Sequence, residues 1–267
     1  MKKIRRHING INVKDEIDAQ IELAMRCRNV VKIESAWGFW DDSGCLYVQM
    51  EFCPGGSLED CWSKEEQIED NIEINQFTVH PDNPYVPSAQ LVLEQINEAL
   101  IACDERGLAH LDIKPANILI MHLTHVKLGD FGQVHTITQT GSHADANAQT
   151  PGCQGTEGFI APEMGVNTNM DWSKADIYSL GATIWMLVML RWPGEADKVG
   201  PGNHQLWVNE EDWPPLPGRG RPGLVDLTNS MLKTTQPKLR PSAREVKAFF
   251  APSADESHKR LPKYHQQ

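Results

Sequence analysis

Between His110 and Ile120 the sequence reads HLDIKPANILI, which sets an aspartate, a lysine and an asparagine at positions 112, 114 and 117 inside a frame of leucine and isoleucine. Thirteen residues past Asn117 stands Asp130, in Gly129-Asp-Phe-Gly132. A carboxylate and an amide carbonyl are hard oxygen donors of the kind that hold magnesium, while a second carboxylate beside an ammonium group suits a hydroxyl acceptor and a moving phosphate. Phosphoryl transfer needs that combination: an acceptor positioned in line, and dense positive charge over the transferred group.

To converge, these residues need short elements on either side of them. The apolar runs Ile118-Leu-Ile-Met121 and Val126-Lys-Leu-Gly129 predict two strands, with His122-Leu-Thr-His125 as the turn between them rather than a metal-ligand pair. Such a hairpin brings Asp112, Asn117 and Asp130 to one end. Upstream, Ser88 opens an amphipathic helix with Val92, Ile96, Ala99 and Cys103 on one face, and Gly107 closes it.

Before that helix, Ile17, Ile21 and Ala24 recur at helical spacing, which predicts a helix over about 14–27. Strands are expected at 29–40 and 45–52, joined by an Asp-Asp-Ser-Gly hairpin turn. Ser57 is placed to cap a short helix, and the polar, proline-bracketed stretch 64–87 reads as an exposed insertion. Helices are expected again over 171–190, about 224–233 and 241–250. A small β-containing front half and a larger helical back half imply two lobes with a cleft between them.

With these residues in order, the chain resembles a eukaryotic protein kinase domain over about residues 2 to 250. His110, Asp112, Lys114 and Asn117 match the catalytic-loop pattern, 130–132 is the DFG motif, Ala161-Pro162-Glu163 is the APE motif, and Arg240 matches the usual partner of that glutamate. The resemblance implies an α+β, two-lobed kinase-like fold over 1–250, with an incomplete small lobe at 1–52, a hinge at 51–57, a large lobe at 58–250 and a polar tail at 251–267. It implies ATP and Mg2+ as cofactors. Asp112 would take the acceptor's proton, Lys114 would steady the γ-phosphate, and Asn117 and Asp130 would hold the metal. Asp176 would brace the catalytic loop, Met50 would be the gatekeeper, and the backbone of Glu51 and Cys53 would bind adenine.

A narrower resemblance, carried by LYVQMEFCPGGSLED, the preceding ESAW, HLDIKPANIL and KLGDFG, is to the Wee and Myt group of mitotic-inhibitor kinases. It implies a protein substrate, a cyclin-dependent kinase among the candidates, and a role in the cell cycle. Tyrosine and Ser/Thr both stay open as the acceptor. A pseudokinase-like binding module is the alternative to an active enzyme.

Several positions depart from the family pattern. No glycine-rich loop precedes the first strand, so the chain is expected to lack the strands that carry it. The GxGxxG at 218–223 follows PPLP rather than a strand and reads as a loop. Lys2, with Lys3 as runner-up, is the candidate ATP-binding lysine. The helix register puts Gln20 at the position of its glutamate partner, with Glu16 as the alternative and Glu22 off the face. Leu111 replaces the arginine that would bind a phosphorylated activation loop, so switching by that route is not expected. QLWVNEEDWPPLP at 205–217 reads as packing against the large lobe sooner than as a docking surface.

Composition narrows the classes further. The 267 residues carry a net charge of −11, which opposes a nucleic-acid or anionic-membrane partner. Six cysteines without a CxxC pair point to reduced thiols in an intracellular protein, nuclear or cytoplasmic. The longest apolar run, 180–190, is shorter than the ~20 residues of a membrane span. No signal peptide is read at the start, and a monomer is expected.

Overall fold

A computed structural model of the chain describes residues 2–5, 13–35, 45–61, 87–137, 156, 158–164, 171–189, 216, 223–233 and 236–251. The small lobe is a three-stranded antiparallel sheet in the order β1-β3-β2, from β1 (Lys2–Arg5), β2 (Ile33–Ser35) and β3 (Cys45–Met50). The helix α1 (Val13–Arg26) packs beside it. Ile17 and Ile21, one helical turn apart, lie against Ile33, Val48 and Met50, which is what their spacing provides for.

The expected strand over 29–40 is shorter in the structure. Only Ile33–Ser35 pairs with β3, and 36–44, with the Asp-Asp-Ser-Gly turn, lies outside the described residues. Val30 and Val31 instead join the large lobe. Val30 forms a parallel bridge to Leu128, the Val31 amide donates to the Leu128 carbonyl at 2.9 Å, and the Leu128 amide donates to the Asn29 carbonyl at 2.7 Å. Asn29 reinforces the seam by donating to Val126 O and to Gln95 Oε1, both at 2.9 Å. The β-branched run thus serves two lobes, a division that a propensity reading does not register.

From Met50 the chain crosses to the large lobe through Cys53-Pro-Gly-Gly-Ser57. The Gly55 amide donates to Ile120 O and the Ile120 amide to Gly56 O, both at 2.9 Å, so this segment runs as a ribbon along the catalytic hairpin. A side-chain carbon on Gly55 would sit 2.6 Å from Ile120 Cβ, which is why glycine is needed there. Ser57 then caps a helical turn at 58–61: its Oγ accepts from Asp60 N at 3.0 Å, and its own amide donates to Asp60 Oδ2 at 2.8 Å. The stretch 64–87 lies almost wholly outside the described residues.

The large lobe is built on α2 (Ala89–Glu105), α3 (Trp172–Met189), α4 (Leu224–Met231) and α5 (Ala243–Phe250). Ser88 caps α2 by accepting from Leu91 N, and Gly107 follows its end with a φ of 62°. Val92, Leu93, Ile96, Leu100 and Cys103 are buried in one core with Leu180, Ile184 and Trp185 of α3. Among the described residues no helix is long and apolar enough to cross a membrane. Residues 205–217, apart from the buried Leu216, are outside the described set, as is 218–223 except Gly223, which precedes α4 with a φ of 84°.

Candidate active site

Short elements carry the polar cluster. β4 (Leu108–Ala109) leads into the loop at His110, a 3₁₀ turn spans Pro115–Asn117, and β5 (Ile118–His122) pairs antiparallel with β6 (His125–Leu128). Thr124 Oγ1 and His122 Nδ1 close the intervening turn at 3.1 Å. Beyond β6 and the DFG motif, β7 (His135–Thr136) returns to pair with β4. The two ends of the cluster are tied directly, since the Gly129 amide donates to the Asn117 carbonyl at 2.9 Å.

Within the loop, Asn117 Nδ2 donates to Asp112 Oδ2 at 2.8 Å and to the Asp112 carbonyl at 2.7 Å. Lys114 Nζ lies 2.9 Å from the same Oδ2. One carboxylate oxygen of Asp112 is therefore anchored twice. The other has no partner among the described residues, and the residue is only partly buried. That arrangement leaves a lone pair for an incoming hydroxyl while fixing the direction of the group that receives its proton.

Backbone conformation sets these directions. Leu111 and Asp130 are the non-glycine residues with positive φ, 62° and 55°, among the described residues. Asp176 Oδ2 accepts from His110 N at 2.6 Å and Oδ1 from Leu111 N at 2.7 Å, which holds the unfavourable turn at Leu111. Burial pushes the Asp176 carboxyl up to about 7, with the charge of Asp112 adding and the two backbone donors opposing. Buried His110 lies 3.0 Å by Nε2 from Gly129 O, accepts from Asp112 N at Nδ1, and stands edge-on to Phe131 with ring centres 4.8 Å apart. Asp130 is exposed, and its Oδ1 accepts from Gly132 N at 3.2 Å.

On the hinge side, Met50 ends β3 and is half-buried. The Glu51 amide donates to Lys32 O at 2.9 Å, and its Oε1 accepts from Lys32 N at 2.5 Å and from Lys127 Nζ at 2.7 Å. Cys53 is buried, its carbonyl accepts from Gly56 N at 3.1 Å, and burial, then the Glu51 charge, raises its thiol above the ordinary range. The Glu51–Lys127 pair escaped the sequence reading. Its signal was the lone lysine inside the apolar strand VKLG.

Lys2 stands opposite Val48, and Lys3 opposite Tyr47, in the β1–β3 register. Gln20 does not reach toward the DFG segment: its Nε2 donates to Val31 O at 2.8 Å and lies 3.8 Å from Met50 Sδ. Glu16, one turn earlier and equally buried, occupies that place. A side-chain carbon on Gly132 would lie 3.1 Å from Asp130 Oδ1 and 3.7 Å from Glu16 Oε2. Of the two candidates it is thus Glu16, the alternative, that lies beside the DFG segment; positions four apart share a face, and periodicity alone does not choose between them. Glu22 pairs with Arg106 at 2.6 Å, away from the cleft.

Asn117 Nδ2 is spent on Asp112, which leaves the amide oxygen of Asn117 and the exposed carboxylate of Asp130 as hard donors. Among the described residues there is no group of three or more His, Cys, Asp or Glu side chains able to hold a metal. A two-donor set fits magnesium, which keeps waters and takes its remaining ligands from phosphate oxygens, and does not suit a cation that needs a cage of protein ligands.

Lower in the large lobe, Arg240 holds Glu163 by two bonds, Nη1 to Oε1 at 2.5 Å and Nη2 to Oε2 at 2.8 Å. The small antiparallel sheet, the helical lobe and this polar cluster between them define a two-lobed, kinase-like α+β protein. A family model described as "Protein kinase domain" matches residues 1–249, and the chain belongs to that family. It is 28% identical over 201 residues to sperm motility kinase 3A of Mus musculus, across 75% of this chain and 34% of that protein. It is 25% identical over 224 residues to Aurora kinase A-B of Xenopus laevis, across 84% and 47% respectively. To the mitosis inhibitor protein kinase wee1 of Schizosaccharomyces pombe it is 25% identical over 208 residues, across 78% and 20%. The chain spans less than half the length of each of these relatives.

Proposed function

We propose that the chain transfers the γ-phosphoryl group of ATP to a hydroxyl of a protein. The observation that carries this reading is the doubly anchored Asp112 carboxylate beside Asn117, tied through Gly129 to Asp130. Asp112 orients the acceptor hydroxyl and takes its proton through the oxygen left open. Lys114 stands beside the other, anchored oxygen and offsets charge on the transferred group. Asn117 and Asp130 supply oxygen donors to Mg2+, which neutralises phosphate charge when bound. The backbone of Glu51 and Cys53 receives the adenine, and Lys2 on β1 is the lysine for the phosphates.

Ser/Thr is the acceptor proposed, on the likeness to proteins named serine/threonine-protein kinases; Lys114 and Thr156 fit that pattern without deciding between it and tyrosine. A finer reading assigns a cyclin-dependent kinase as substrate in mitotic control. It is supported by the LYVQMEFCPGGSLED and HLDIKPANIL stretches and by the likeness to a protein named for mitosis inhibition, while Aurora kinase A-B is just as similar.

The test is transfer of γ-labelled phosphate from MgATP to casein and myelin basic protein, with Asp130→Asn as control and phosphoamino-acid analysis of the product. Label on acceptor serine or threonine, lost in the control, is the expected result. MgATP binding without transfer by the protein expressed in full from its locus would overturn catalysis and leave a nucleotide-binding module.

A further inference from the structure

Glu16 and Gln20 stand one turn apart on α1, 4% and 1% exposed, and such positions share a helix face. Their side chains reach the two ends of one stretch of backbone. Gln20 Nε2 donates to Val31 O at 2.8 Å. The Val31 amide is bonded to Leu128 O at 2.9 Å, and Val30 bridges Leu128 in parallel. Leu128 lies two residues before Asp130. Glu16 Oε2 borders Gly132, two residues after it.

The helix therefore meets both ends of residues 128–132, bonded through Val31 at one end and with Glu16 lying close to Gly132 at the other. Turning α1 about its axis, or swinging it outward so that Glu16 leaves Gly132, also breaks the Gln20 bond. Breaking it strands a buried carbonyl and a buried amide. An apolar residue would suit this position if it only filled space, because the side chain is 1% exposed and its Nε2 lies 3.8 Å from Met50 Sδ. A buried amide is tolerated there because its donor has a partner.

We infer that Gln20 is a positioning residue: its amide bond to the Val31 carbonyl sets the rotation of α1 that keeps Glu16 against the Asp130–Gly132 segment. The inference rests on the phosphotransfer reading for its catalytic consequence, though not for its structural one. Gln20 touches neither acceptor nor phosphate. It acts through Glu16.

The experiment compares the 267-residue chain with Gln20→Leu and Gln20→Met, which keep the bulk and lose the donor. Two readouts are taken: steady-state transfer to myelin basic protein, and hydrogen exchange of the backbone amides. The expected result for both variants is a fall of about tenfold in kcat with KM for the acceptor unchanged. Exchange rises about tenfold over α1 while α2 and α3 keep their protection. Wild-type kcat with wild-type exchange in α1 would overturn the inference, as would a loss of protection spread evenly over all three helices, which marks a packing defect. If the unmodified chain transfers no phosphate, the phosphotransfer reading fails, and the exchange arm still decides the role of Gln20.

Discussion

Arg240 is fully buried and clamps Glu163 through both ends of its guanidinium. The same side chain donates from Nε to Lys233 O at 2.7 Å and from Nη1 to Lys174 O at 2.9 Å, and its Cζ lies 4.8 Å from the centre of the Tyr178 ring. Four elements of the large lobe meet on one cation: the APE segment, α3, the end of α4 and the loop before α5.

Removing one partner of such a pair leaves the other charge buried, which costs ~3–5 kcal/mol. Arg240→Leu is expected to lower the free energy of unfolding by about that amount. Arg240→Lys is expected to lower it by ~2 kcal/mol or more, because an ammonium cannot reproduce the fork or reach all the carbonyls. Urea unfolding of the three proteins measures both. An Arg240→Lys protein as stable as the wild type would show the fork to be dispensable.

Leu111 stands where a guanidinium would receive a phosphate on the activation loop, and it is buried and apolar. A phosphorylated threonine would not find that guanidinium there. Replacing Thr138, Thr140 and Thr150 together by alanine is expected to leave kcat within about twofold in the labelled-ATP assay. Loss of activity in the triple variant, restored by aspartate at one of these positions, would contradict the expectation.

How much of this was legible beforehand differs by element. Ser88, Gly107 and the apolar stripe between them gave the bounds of α2 almost to the residue, since capping and periodicity are local properties. The cluster of Asp112, Asn117 and Asp130 was legible for a similar reason: two short strands and a turn leave little freedom in where their ends fall. What stayed hidden depends on pairing between distant segments. Val30 and Val31 have the propensity of a small-lobe strand, yet they bond to Leu128, and the Gln20 amide is taken up by the Val31 carbonyl. Lys127 likewise finds Glu51 across 76 residues.

Asp176 makes the catalytic loop sensitive to pH. Its carboxyl is raised from 3.8 to about 7 in the folded protein, chiefly by burial. A raised folded pKa means that the folded state binds the proton more tightly than the unfolded chain between those values. The group's contribution to stability is therefore full below about 3.8, is lost as pH rises toward about 7, and is level above. Asp176→Asn removes that dependence. Subtracting the variant's unfolding free energy from that of the wild type at pH 5, 6, 7 and 8 should give a difference that declines by on the order of a few kcal/mol up to pH 7 and then flattens. A difference that grew with pH would mean that the two backbone donors outweigh burial and hold the carboxylate charged.

Asp112 provides the sharpest separation between chemistry and structure. One of its oxygens is held by Asn117 and Lys114, and an asparagine in its place keeps the shape and one carbonyl oxygen. The fold has little reason to respond, and Asp112→Asn is expected to melt within a few degrees of the wild type. What the amide cannot do is take a proton from a hydroxyl in the transition state, a service worth about 10²–10⁴ in rate. Transfer to a protein acceptor should fall by that factor, while MgATP still raises the melting temperature as it does in the wild type. Asp130→Asn should do the reverse on the binding side and abolish the magnesium-dependent part of that rise, because its carboxylate is the exposed donor on the DFG segment. An Asp112→Asn protein that transfers phosphate at the wild-type rate would remove Asp112 from the reaction and leave Lys114 and Asp130 as an electrostatic site without a base.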